Sequence, residues 1–154
     1  MDDLTTHEKH IRRTMELARQ SVNRGNHPFG ALLERNGYVV MEAENTVNDE
    51  GDCTGHAELN LVRKATRELS SQQVAQATLY TSTEPCPMCA GAIFWAGISR
   101  IVYGVPAAAL IELTGCGFDY QSSQLYEWST SPPAVIGPVL AEEGLEIHRK
   151  FWKP

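Results

Sequence analysis

Residues 81–92 read "TSTEPCPMCAGA", and this stretch decides the fold. It begins as the end of a short strand, "ATLYTS", and turns within three residues into an apolar helix, "PMCAGAIFWAG". Pro87 stands at the first helical position, where a missing N–H costs nothing. Pro85 keeps Glu84 extended ahead of the turn. A further strand, "RIVYGV", follows the helix.

The same alternation extends in both directions. Upstream, "TTHEKHIRRTMELARQSVNRGN" has Ile11, Met15, Ala18 and Val22 at helical spacing, with Thr5 and Glu8 spaced as a capping box and Gly25 as a stop. "FGALLE" and "YVVMEAENTV" flank Asn36-Gly37, the strongest short hairpin signal. "HAELNLVRKATREL" is a second helix with Leu59, Val62, Ala65 and Leu69 on one face. Downstream, "PAAALIELTG" reads as a helix ending at Gly115, "AVIGPVL" as an edge strand, and "AEEGLEIHRKFW" as a terminal helix interrupted by Gly144. This order predicts an α/β protein, a mixed sheet with helices on both faces in a three-layer α/β/α sandwich. At 154 residues, one domain spanning 1–154 is expected.

Composition narrows the class. The chain is 42% hydrophobic and 21% charged, as in ordinary globular proteins. No apolar run approaches the ~20 residues of a membrane span, and "MDDLTTHEKH" lacks the layout of a signal peptide. A cytoplasmic protein without a membrane partner is expected, its four cysteines serving as thiols, ligands or catalysts. The net charge is −6, and from Ala90 onward four basic residues face six acidic ones. A polynucleotide binder needs a basic face to displace counterions, so a nucleic-acid partner is disfavoured, though net charge does not rule out a local patch.

Cys86 and Cys89 fall where the strand hands over to the helix. A C-x-x-C at a helix N-terminus has lowered thiol pKa values, which suits a redox couple and a metal pair alike; two inert thiols are the third reading. A thioredoxin-like couple belongs after the first strand of its unit, whereas this pair follows three strands and two helices. "HAE", His56-Ala57-Glu58, is by itself a helix start with a solvated carboxylate. Helices that open at one end of a sheet bring their first residues to one rim. His56 and the cysteines can therefore converge as one imidazole and two thiolates. That is the ligand set of a catalytic zinc site with its fourth position open to water. Such a site requires a proton carrier that is not a ligand, and Glu58 lies in the right helical turn. Cys53 as a fourth ligand would close the site and leave Glu58 idle.

"HAE" with "PCPMC" resembles the H-x-E…P-C-x-x-C signature of the zinc-dependent cytidine/purine deaminase superfamily. The likeness runs from the first helix to about Val105. It implies a cytidine deaminase-like sandwich around a mixed five-stranded sheet, one Zn2+ per chain on His56, Cys86 and Cys89, and Glu58 as the catalytic acid–base. It implies a homodimer. It also implies that Asn45 in "AENTV" contacts the base or sugar and that Ala57 binds substrate. Phe29 and Trp95 read equally as core residues or as walls facing the base. His7, His10, His27 and His148 match no ligand pattern and are expected at the surface.

Among the branches, "HPFGALL", "STEPCPMCAGAIFWAG" and "GFD" most resemble guanine and guanosine deaminases. Those enzymes often carry an acidic residue after Gly-Phe-Asp; here that position is Tyr120, so either Asp119 takes over the reading of the purine or the substrate differs. The expected reaction is hydrolytic deamination of a purine base or nucleoside. A transfer-RNA adenosine deaminase and a cytosine or cytidine deaminase are the alternatives, and a zinc-stapled interaction module is the non-enzyme reading. Residues from about 116 to 154 are expected to form a pocket lid or dimer-contact segment. Within "FWKP", Phe151 and Trp152 read equally as lid or as packing.

Overall fold

The computed structural model describes residues 3–153. Asn36 and Gly37 take φ of 55° and 83°, the two left-handed positions that a type I′ hairpin needs. They join β1 (Gly30–Arg35) to β2 (Tyr38–Glu44) in antiparallel register. β3 (Thr78–Thr83) pairs antiparallel with β1, and β4 (Arg100–Val105) and β5 (Ala134–Ile136) add on in parallel. The sheet order is β2-β1-β3-β4-β5, the mixed five-stranded sheet that was expected.

The helices are α1 (Leu4–Asn23), α2 (Val47–Glu50), α3 (Ala57–Glu68), α4 (Ser71–Ala75), α5 (Pro87–Ala96), α6 (Ala107–Thr114), α7 (Ser122–Tyr126) and α8 (Ala141–Trp152). Side chains alternate across a strand, and the central strands feed two cores. Leu33, Leu79 and Ile101 face Leu61 of α3 and Ile93 of α5. Leu32, Tyr80 and Val102 face Ile11 and Met15 of α1 and Ile147 of α8. Burying each of the large aliphatic side chains contributes about 1.5–3 kcal/mol. The result is three layers, α1 and α8 on one side of the sheet and α3 and α5 on the other.

Four local expectations are corrected. Helix α1 starts earlier than the Thr5/Glu8 box, because Asp3 is the cap and its carboxylate accepts from Thr5 N–H at 3.1 Å. The buried face of α3 is led by Leu61 and Val62 rather than Leu59. Gly144 does not interrupt α8. A Cβ there would lie 2.5 Å from Val105 Cγ2, so the glycine lets α8 lie close against β4. His7, His10 and His148 are buried, not surface residues. The first two lie on the inner face of α1, where Tyr80 offers a hydroxyl to His7 Nδ1 at 2.9 Å and a ring 4.7 Å from that of His10.

Candidate active site

The site stands at the end of the sheet where β3 runs out. His56 is the N-cap of α3 and Cys86 the N-cap of α5, and neither side chain caps its own helix. Both are therefore free to point at a common centre. Pro87 sets the first turn of α5, which places Cys89 one turn on and fully buried. His56 Nδ1 lies 3.6 Å from Cys86 Sγ and 3.6 Å from Cys89 Sγ. Bonds of ~2.0 Å to nitrogen and ~2.3 Å to sulfur at a tetrahedral angle require a nitrogen–sulfur separation of about 3.5 Å, close to both distances. The donor set thus fits zinc in geometry as well as in chemistry. Cys53 is exposed and does not belong to the cluster of candidate ligands.

The electrostatics agree. The Cys89 thiol and then the His56 ring hold Cys86 down to about 4. Cys89, hydrogen-bonded to that thiolate and buried, is pushed well above the ordinary thiol range. The pair holds one ready negative charge and a second that only a cation can release. His56 is raised, chiefly by its hydrogen bond to Cys86. Glu58 is only 4% exposed. Burial and then the charge of Cys86 push its carboxyl up to about 7, the range in which a carboxyl group both takes and gives a proton near neutral pH. A divalent cation beside it acts in the opposite direction.

His56, Glu58 and Cys86 open on a cavity of about 400 Å³, within the range of small-molecule sites. Phe29, Thr83, Met88, Leu110, Ile111, Phe118 and Tyr120 supply most of the remaining wall. Asn45 and Ala57 are both buried and neither lines the cavity; Asn45 donates its backbone N–H to the carbonyl of Phe29, which does. Its Oδ1 accepts from His27 N–H at 3.3 Å and Val47 N–H at 3.1 Å, which turns the amide nitrogen away from those partners. Ala57 is buried at the first position of α3, where a helix leaves its amide without an intrahelical acceptor.

Trp95 and Asp119 do not line this cavity. Trp95 is 84% exposed: six residues beyond Cys89, it lies on a different side of α5 at about 100° per residue. Asp119 is exposed between Phe118 and Tyr120, which do line the wall. Phe151 and Trp152 pack on His27, with ring centroids 5.9 and 5.4 Å away, and neither lines the cavity. Pro154 of "FWKP" lies outside the described residues.

Glu84 escaped the sequence reading. Its Oε1 accepts from Ala107 N–H at 3.0 Å, and its Oε2 accepts from Ser122 N–H at 2.8 Å and the Ser122 hydroxyl at 2.7 Å. The Tyr120 hydroxyl donates to Pro85 O. Together they tie the loop at 115–121 to the β3–α5 turn. The signal was present: a carboxylate closing a β-branched strand with no basic residue near it in sequence.

Comparison with known proteins bears on this geometry. The profile of the cytidine and deoxycytidylate deaminase zinc-binding region matches residues 4–105. A probable cytosine deaminase of Schizosaccharomyces pombe is 39% identical over 152 residues, covering 93% of this chain and 90% of its own. Guanine deaminase of Bacillus subtilis is 41% identical over 114 residues, covering 73% of this chain and 71% of its own. A solved guanine deaminase from Nitrosomonas europaea superposes with a TM-score of 0.81 over 93% of this chain and 82% of that one. At 22% identity, that last likeness speaks for the fold alone.

Proposed function

Since the chain belongs to the family of the cytidine and deoxycytidylate deaminase zinc-binding region, we propose that this zinc-dependent deaminase acts on a free base or nucleoside, a guanine-type purine first. The observation that carries the reading is Glu58, a buried carboxyl that is not a ligand, lining the same cavity as His56 and Cys86. A structural zinc site has no use for it.

His56, Cys86 and Cys89 would hold the zinc, which would supply the Lewis acidity that makes water a nucleophile at neutral pH. Glu58 takes a proton from the attacking water on a carboxylate oxygen. It returns that proton to the ring nitrogen, then takes the second proton from the hydroxyl now on the ring carbon and gives it to the departing amine, so that the C–N bond breaks, the carbonyl forms and ammonia leaves. Phe29 gives the ring an aromatic wall. Asn45 and Ala57 are the further proposed contacts, the first bonded to the carbonyl of Phe29 and the second between His56 and Glu58.

The size of the cavity and the net charge of −6 favour a small molecule over a polynucleotide. Guanine is supported by the 41% identity to a guanine deaminase. Cytosine is the second reading, supported by a match that reaches over 93% of the chain. We also propose one domain spanning 1–154 and a cytoplasmic protein; among the described residues no helix is long and apolar enough to cross a membrane. We propose a homodimer as well, since Trp95 and Trp128, 84% and 86% exposed, are the kind of surface a subunit contact covers. The segment from about 116 to 154 borders the pocket through Cys116, Gly117, Phe118 and Tyr120, in line with a lid or dimer-contact role.

The test is ammonia release by the zinc-loaded protein from guanine, guanosine, adenosine, cytosine, cytidine and an anticodon stem-loop. Guanine is expected to be the best substrate. Faster release from the stem-loop than from every small molecule would overturn the reading.

A further inference from the structure

The polar groups on the cavity wall differ in what they have left to offer. Both Glu84 oxygens are taken by Ala107 and Ser122. The Tyr120 hydrogen goes to Pro85 O. Thr83 is different, and the reason lies behind the wall, in the C-terminal helix.

Trp152 Nε1 lies 3.1 Å from His148 Nδ1. An indole nitrogen only donates, so Nδ1 of His148 accepts and carries no hydrogen. His148 is 2% exposed, and burial lowers its pKa to about 4, so the ring is neutral at physiological pH. A neutral imidazole has one hydrogen, which must then sit on Nε2. Nε2 lies 2.7 Å from Thr83 Oγ1, and that oxygen therefore accepts. The hydroxyl's own hydrogen has no acceptor among the described residues, and Thr83 lines the cavity. Phe29, on the same wall, packs on the His148 ring with centroids 5.2 Å apart, which holds the imidazole in place.

We propose that Thr83 is a specificity-determining hydrogen-bond donor to the substrate, its polarity fixed by Trp152 acting through His148. The site therefore selects a ring that presents an acceptor to Thr83, a carbonyl oxygen or an unprotonated ring nitrogen, over one that presents an amino group there. This rests on the reading of the cavity as the substrate site of a deaminase. Thr83 touches substrate; His148 and Trp152 are positioning residues.

The experiment compares zinc-loaded wild type with Thr83→Val, Thr83→Ser and Trp152→Phe. Turnover is measured on guanine and cytosine. Binding is measured by calorimetry with xanthine and uracil, the deaminated products, which keep carbonyl acceptors and do not react. Long-range proton–nitrogen NMR reports which His148 nitrogen carries the hydrogen. Thr83→Val is expected to lower kcat/KM, and to weaken product binding, about tenfold. Thr83→Ser restores both. Trp152→Phe, which keeps the ring and loses the N–H, moves His148 away from a pure Nε2–H tautomer and lowers kcat/KM severalfold. Wild-type values in Thr83→Val, or an Nδ1–H tautomer in the wild type, overturn the proposal. If Thr83→Val does not fold, the Trp152→Phe tautomer and kinetics decide it. A wild type that binds xanthine or uracil in a Thr83-dependent way but releases no ammonia keeps Thr83 and rejects the deaminase. A wild type that binds none of these bases rejects both.

Discussion

In the proposed mechanism Glu58 and its three neighbours divide the chemistry so cleanly that each can be removed separately. Glu58→Ala leaves His56, Cys86 and Cys89 untouched, so it is expected to retain one zinc per chain while losing the proton carrier. General acid–base groups contribute about 10²–10⁴-fold, and a loss of ammonia release on that scale, with metal content unchanged by elemental analysis, is the expected result. Near-wild-type turnover would remove Glu58 from the mechanism. Cys86→Ser should behave in the reverse order, losing metal first and activity as a consequence. These four residues were legible in the sequence because each motif is local: His56 and Glu58 share one helical turn, and Cys86 and Cys89 another. Glu84 and His148 were not legible, since their partners lie far off along the chain. The hydroxyl of Ser122 is 38 residues from Glu84, and that of Thr83 is 65 from His148. Only the closed sheet reveals that such groups are satisfied rather than solvated. Trp95 shows the converse: its motif is local, but the face of α5 it occupies is set by which side of that helix meets the sheet.

Between elements, the Glu84 carboxylate is the fastening that matters most to the site. It joins the end of β3 to the starts of α6 and α7, and its three donors are all at 3.0 Å or less. Glu84→Gln keeps the shape but turns one acceptor into an –NH2 that faces other donors. A buried mismatch of this kind costs about 1–3 kcal/mol. The expected outcome is a lower denaturation midpoint, together with faster amide exchange across 115–121 than across β1 or β3. Unchanged exchange in that loop would show that Glu84 does not hold it. The long elements, from α1 through β4 and again α6 and α8, were readable from period, caps and glycine stops, and the hairpin from Asn36-Gly37. The helices α2, α4 and α7 have four or five residues each, too short to display a helical period. β5 is a three-residue strand, formed because β4 offers it an edge rather than because its own sequence insists. Gly144 misled for a related reason: the penalty of glycine in a helix is set against a packing contact between α8 and the sheet that no local pattern records.

For the molecule as a whole, burial of histidines couples folding to pH. His148 is held at about 4, well below its ordinary value of 6.5, by burial. His7, His10 and His27 are lowered in the same direction and for the same leading reason. A histidine kept neutral by the fold binds fewer protons folded than unfolded. Its contribution is therefore fully present above the unfolded pKa and is lost as pH falls below 6.5 toward the folded value. For His148 the shift from 6.5 to about 4 corresponds to about 3 kcal/mol. The three other rings steepen the same slope. Zinc ligands also protonate in acid, so the comparison must isolate the histidine. In His148→Gln the amide can donate to Thr83 and accept from Trp152 without titrating. Urea denaturation of both proteins, zinc-loaded and in steps from pH 7.5 to 4.5, should show the wild type losing stability below pH 6.5 and the variant losing less. The gap should widen toward about 3 kcal/mol at the acid end, whereas parallel curves would mean that His148 gains its proton without opening the fold. The folded ring itself stays neutral down to about pH 4, and its Nε2 carries a hydrogen in either charge state, so acid should weaken the fold before it alters the polarity of Thr83 and with it substrate selection.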